Sequence, residues 1–219
     1  NDLKKNILDI SKYWIPAQQK LNLDKSIKFF KTHTACVAHD GRWFTDENNS
    51  IGYIYVVRDP RSVACSYAKY ANTPIDNVVR TMVNPNSFGT NQDDIIADIW
   101  SSWKINYLSW KKEKKFKGII VKYEDLLTDP FNEFKNILLF LRDFYKMDII
   151  EDKIKSCIAS CELNRLKKLE EKSGFSESIY GNKFFRKGEK DEWEKVLPVK
   201  LKKQIESAFK DEMIELDYL

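Results

Sequence analysis

Apolar residues recur at helical spacing at the start of the chain, at Leu3, Ile7, Ile10, Tyr13 and Trp14, and predict a helix over residues 1–20. Ser26-Ile27-Lys28-Phe29-Phe30-Lys31 reads as a short strand, and a polar loop follows with Asp40-Gly41 and Asn48-Asn49-Ser50. From Ile51 to Val57 the chain is apolar nearly throughout and rich in β-branched and aromatic residues, which suits a central parallel strand covered on both faces. That run stops at Arg58-Asp59-Pro60, where an aspartate that can cap and a proline suited to a first turn open a helix to Tyr70. Further helices are predicted over 74–84 and 92–115, the second carrying Trp100, Trp103, Tyr107 and Trp110, whose spacing reads as a core face. Gly118 to Tyr123 is another buried-strand run, and a helix follows at about 130–144. Residues 149–172 read as one or two helices, 173–190 as a glycine-bearing loop, and Pro198 opens a last amphipathic helix. Strands separated by helices imply an α/β fold with three layers and a central, mostly parallel sheet, as a single domain over 1–219.

Composition narrows the classes. The apolar runs are far shorter than a membrane span. Net charge is +4, and the lysines alternate with acids instead of forming one stripe, which argues against nucleic acid and for a local anion site. Two histidines and the four cysteines Cys36, Cys65, Cys157 and Cys161 match no zinc spacing, so no metal site is expected. The cysteines read as reduced, buried thiols of a cytoplasmic protein.

Ligands of open parallel sheets bind beyond the carboxyl ends of the strands, which directs attention to three strand ends, Lys31-Thr32-His33, Arg58 with Ser62 and Ser66, and Tyr123-Glu124-Asp125, and beside them to one basic loop. Arg58 leaves one strand just before a helix start, so a fixed cation stands beside amides that favour an anion, with Ser62 and Ser66 one turn apart on that helix. The competing reading is that Arg58 pairs with Asp59 or another carboxylate. Lys31 and His33 share a face of their strand, and a neighbouring ammonium favours a neutral imidazole able to accept a proton; an ordinary exposed pair is the alternative. Arg186-Lys187-Gly188 sets two cations beside a glycine that lets the backbone approach an anion.

Together these segments resemble the sulfotransferases that use 3′-phosphoadenosine 5′-phosphosulfate (PAPS), with a wording closer to bacterial than to animal members. Lys31-Thr32-His33 is similar to the family's Lys-Thr-His strand end, and YIYVVRDPRSVACSYAKY (53–70) to its 3′-phosphate-binding strand and helix. VKYEDLLTDP (121–130) resembles the Tyr-Glu-Asp strand and FFRKGEKDEW (184–193) the Arg-Lys-Gly loop with its trailing Trp. The resemblance implies a P-loop nucleotide-hydrolase-like fold and sulfuryl transfer from PAPS to a hydroxyl of a small-molecule or carbohydrate acceptor. Adenosine 3′,5′-bisphosphate (PAP) would be the product. It makes His33 the general base and has Lys31 stabilise the transferring group. Arg58 and Ser66 would bind the 3′-phosphate with Arg186, Lys187 and Gly188, and Tyr123 would contact the adenine.

Two features differ from the family. Asp191-Glu192 stands where Gly-Asp is usual, and Leu163 where an aromatic ring often lies beside the adenine. No segment before Lys31 resembles the family's Tyr-Pro-Lys-Ser-Gly strand and loop, which cradles the 5′-phosphosulfate, so these residues read as part of a longer chain and as a poor catalyst alone. A nucleotide-binding module that has lost catalysis is the alternative function. A kinase on a related fold needs a Gly-Lys-Ser/Thr phosphate loop, which the sequence lacks.

Overall fold

The computed structural model of the chain describes residues 9–24, 26–89, 97–175, 183–186 and 192–219. In chain order the elements are α1 (Trp14–Leu21), β1 (Ala38–His39), β2 (Arg42–Trp43), β3 (Gly52–Val57), α2 (Pro60–Tyr70), α3 (Ile75–Val83), α4 (Trp103–Lys111) and β4 (Lys117–Lys122). They continue with α5 (Tyr123–Thr128), α6 (Pro130–Leu141), α7 (Glu151–Ser160), α8 (Leu163–Ser173), α9 (Trp193–Val196), α10 (Val199–Ala208) and α11 (Lys210–Glu215). β3 and β4 are neighbours in a parallel sheet, so both predicted buried-strand runs are strands and the α/β class holds. The chain divides into two compact units, Asn1–Tyr55 with Thr81–Gly118 and Val56–Arg80 with Ile119–Leu219.

The first unit is organised by aromatic rings. Cys36, Trp110 and Phe116 are buried, with Phe44, Tyr53 and Tyr55 packed against them. Phe44 sits edge-on to both Trp14 (5.6 Å) and Trp110 (6.4 Å), the offset arrangement that ring quadrupoles favour. β1 and β2 form an antiparallel hairpin in the register Ala38↔Trp43 and His39↔Arg42. Its turn is Asp40-Gly41, both at positive φ (51° and 73°), the primed geometry that matches the twist of the flanking strands. The predicted helix over 92–115 is shorter where it is described: Ser102 caps α4 by accepting the amide of Ile105, and Phe88 bridges Ile99 just before it. Ser101, just before the cap, is left-handed (φ 58°), so the helix starts only at Trp103.

One expected element is absent among the described residues. Ser26 to Lys31 is not a strand, and Phe29 and Phe30 are 72% and 64% exposed. A strand exists only where a neighbour accepts its ladder bonds, and alternation cannot bury two adjacent rings on one face. The segment is tied locally instead, with Lys28 Nζ donating to the Leu21 carbonyl (2.7 Å) and to Asp24 (2.5 Å).

In the second unit, α9 and α10 lie against α2, and α6 packs on α5 and α7. Val57, Ala64, Cys65, Val121, Trp193, Ile205, Phe209 and Met213 are buried there. Asp129 caps α6 by accepting the amide of Asn132 (3.2 Å), with Pro130 in the first turn. No helix among the described residues is long and apolar enough to cross a membrane, and no group of three or more metal-ligating side chains occurs among them.

Candidate active site

Each unit carries a set of the predicted site residues. In the first unit, Lys31, Thr32 and His33 are exposed, in irregular backbone rather than at a strand end. Their position is fixed from α4. Asn106 Nδ2 donates to the His33 carbonyl (3.1 Å) and to the Trp100 carbonyl (2.9 Å), while its Oδ1 accepts the Tyr55 hydroxyl (3.0 Å). Trp110 Nε1 donates to the Thr34 carbonyl (3.1 Å), and Ser109 Oγ accepts the amide of Cys36 (2.9 Å). Thr34 Oγ1 donates to Asp98 (2.8 Å). Burial pushes the Tyr55 phenol well up, so it remains a donor to Asn106. The backbone around His33 is therefore anchored through successive residues while its imidazole faces solvent. Sequence reading missed Asn106, because a polar residue inside an aromatic helix carries no motif of its own.

In the second unit, Arg58 emerges from β3 and its guanidinium lies over the Tyr123 ring, 4.5 Å from the centroid. Arg58 Nε is buried and has no hydrogen-bond partner. Asp59, one carboxylate that Arg58 could have paired with, is taken by Arg61. Arg61 Nε and Nη2 contact both oxygens of Asp59 (2.7–3.1 Å), Nη1 donates to Glu206 (2.8 Å) and Nη2 donates to the Tyr218 carbonyl (2.7 Å). The Arg61 guanidinium also lies 3.9 Å over the Trp193 ring. Two arginines flank Asp59-Pro60, one bound by two carboxylates and a carbonyl and one with an unsatisfied donor.

The helix start is less open to an anion than its sequence implies. The Asp59 carboxylate accepts the amide of Arg61 (2.8 Å), and the amide of Asp59 donates to Glu124 Oε1 (3.1 Å). Two carboxylates thus use two of the amides at this helix start. An anion here would be held chiefly by the Arg58 side chain and by hydroxyls of α2, where Ser62 is buried and Ser66 half-buried.

Arg186 is half-buried and follows Phe184 and Phe185, whose amides donate to the two oxygens of Glu170 (2.7 and 3.1 Å). Phe184 stacks on Phe175 with centroids 4.5 Å apart. Lys187 and Gly188, also expected at the 3′-phosphate, lie outside the described residues. The structure thus brings Arg58 and Tyr123 together and places Ser66 on the helix that follows Arg58.

A profile of the sulfotransferase domain matches residues 8–217. The chain belongs to the sulfotransferase family. No curated protein matches this chain by sequence. Among solved structures it is similar to a mouse sulfotransferase complexed with PAP, at 20% identity and a TM-score of 0.54 over 73% of this chain and 58% of that one. It also resembles retinol dehydratase in complexes with androsterone and PAP and with retinol and PAP, at 19% identity and TM-scores of 0.52 and 0.51. Those matches cover 73% of this chain and 46% and 47% of the other. The chain therefore spans about half the length of the structures it resembles, and at these identities the likeness establishes the fold.

Proposed function

We propose that the protein moves a sulfuryl group from PAPS to a hydroxyl of a small-molecule or carbohydrate acceptor and releases PAP. Family membership supports the reaction class. The observation that carries the donor assignment is the buried, unsatisfied Nε of Arg58, held on the Tyr123 ring while its neighbouring carboxylate is taken by Arg61. A guanidinium left with a free donor beside an aromatic ring is suited to a phosphate oxygen of an adenine nucleotide.

PAPS supplies a sulfuryl group on a good leaving group, and the chain supplies position, charge and a proton acceptor. Arg58 holds the 3′-phosphate, with Ser66, Arg186, Lys187 and the Gly188 amide. Tyr123 presents its ring to the adenine. His33 takes the proton of the acceptor hydroxyl as the acceptor oxygen bonds to sulfur and the bond from sulfur to the phosphate oxygen breaks. Lys31 offsets the charge on the transferring group. His33 is exposed, so it is reachable by an acceptor, and its backbone is anchored by Asn106. The four free cysteines accord with a reducing compartment such as the cytoplasm.

Calorimetric titration with PAP and with adenosine 5′-monophosphate (AMP) tests the donor site. PAP is expected to bind more tightly than AMP, and Arg58→Ala to abolish the difference. Equal affinity for the two in the unaltered chain would sink the assignment. Sulfuryl transfer to a panel of phenols and sugars tests His33: His33→Ala should lose turnover at least a hundredfold, as for a general base, with PAP affinity retained. A chain that binds PAP selectively and transfers nothing would be a nucleotide-binding module instead.

A further inference from the structure

The end of the second unit is folded back onto the turn that carries Arg58. Asp217 adopts a left-handed conformation (φ 57°), uncommon for a residue with a side chain. The amide of Asp217 donates to the Ile214 carbonyl (3.1 Å) and that of Tyr218 to the Met213 carbonyl (2.8 Å), the paired bonds of a Schellman turn closing α11. Past this turn the Tyr218 hydroxyl donates to Glu124 Oε2 (2.8 Å). The other oxygen of Glu124 accepts the amide of Asp59, and Glu124 is 5% exposed. The segment is held on two further sides: Lys122 Nζ donates to the Leu216 carbonyl (2.5 Å), and Arg61 donates to the Tyr218 carbonyl.

A buried carboxylate needs donors for both oxygens, and this one has a backbone amide on one side and a phenol on the other. The peptide unit whose N–H Glu124 grips joins Arg58 to Asp59, so its plane sets the direction in which Arg58 leaves the strand. Burial, then the hydrogen bond to Glu124, pushes the Tyr218 phenol well up, which keeps it a donor. We propose that Tyr218 is a positioning residue for the Arg58 anion site, acting through Glu124 and the Asp59 amide. This rests on the reading of Arg58 as a 3′-phosphate receptor. Tyr218→Phe keeps the ring under Lys122, which stands 5.0 Å from its centroid, and removes the donor to Glu124.

The test is the ratio of PAP to AMP affinity, measured by calorimetry on the full chain beside its melting temperature. Tyr218→Phe should lower that ratio about fivefold, the size of one ordinary hydrogen bond, by weakening PAP and leaving AMP unchanged. Glu124→Gln, which keeps an acceptor for the Asp59 amide, should lose less of the ratio than Glu124→Ala. A merely structural Tyr218 would lower the melting temperature, or weaken both nucleotides equally, with the ratio intact; that result overturns the proposal. If the unaltered chain fails to prefer PAP, or Arg58→Ala keeps the preference, the receptor reading itself fails and the proposal falls with it. Preference lost in Arg58→Ala but kept in Tyr218→Phe rejects the positioning role alone. Should Tyr218→Phe not fold, Lys122→Met, which frees the Leu216 carbonyl, carries the same criterion with a smaller expected loss.

Discussion

At the scale of single residues, the pair Arg58 and Arg61 shows how similar groups three positions apart are assigned opposite tasks. Arg61 is 7% exposed at its side chain and answers two carboxylates and a carbonyl, while Arg58 keeps a buried donor unanswered. Hydrogen bonds to Asp59 and Glu206 push the Arg61 guanidinium up against the opposing effect of burial, so it is charged at all working pH values. Replacing Arg61 by Met would leave the buried Asp59 without its cation and Glu206 with Lys202 alone, 3.8 Å away. Removing one partner of a buried ion pair costs about 3–5 kcal/mol, and urea unfolding of Arg61→Met should show a loss of that order. A loss below about 1 kcal/mol, the value of an exposed pair, would mean the network is solvated. Sequence reading pointed to Arg58 and Tyr123 through their places at the ends of apolar runs. It assigned no role to Arg61, since charge alone does not say which of two nearby arginines a carboxylate will take.

At the scale of elements, the strands that were legible are those that found a ladder partner, and the one that failed did not. Gly52–Val57 and Lys117–Lys122 pair with each other, whereas Ser26–Lys31, with apolar content comparable to the second of these, is irregular and exposed. Propensity describes fitness for a sheet, and the ladder partner decides whether there is one. The two paired strands also meet through a glycine that no pattern singled out. Tyr53 lays its ring over Gly118 and donates its hydroxyl to the Trp110 carbonyl (2.6 Å), and a Cβ at Gly118 would stand 1.9 Å from that ring. The ring is itself wedged against Trp110 and Phe116, so it has little room to move. Gly118→Ala should therefore destabilise by about 1–3 kcal/mol, the usual cost of overpacking. Thermal unfolding checks this, and a second change, Tyr53→Ser, should make the alanine tolerable again relative to Tyr53→Ser alone. If alanine costs the same with and without the Tyr53 ring, the close approach is not what requires glycine there.

At the scale of the whole molecule, the class of fold was readable from the alternation of apolar runs with amphipathic stretches, but the burial of individual polar and sulfur-bearing side chains was not. The thiols make the point. All four cysteines are free, as expected, yet only Cys36 and Cys65 are buried; Cys157 and Cys161 are exposed. α7 fully buries only Ile154, and the residues after it toward the helix end face solvent apart from the half-buried Ile158, so composition alone misjudged the two cysteines there. Burial pushes the Cys36 thiol up to about 12, with Glu113 beside it adding to the effect, and pushes the Cys65 thiol up to about 11. Thiolate is the reacting form, so at pH 8 both buried sulfurs are doubly protected, by access and by protonation. Titration with an aromatic disulfide reagent should release two equivalents of chromophore quickly from the native protein. The other two should appear only as denaturant opens the structure, one from each compact unit. Cys157→Ser with Cys161→Ser should remove the fast phase and leave the slow one untouched. Four fast equivalents from the native protein would contradict the burial of Cys36 and Cys65, and with it the packing of Trp110 and Phe116 around Cys36 and of α2 around Cys65.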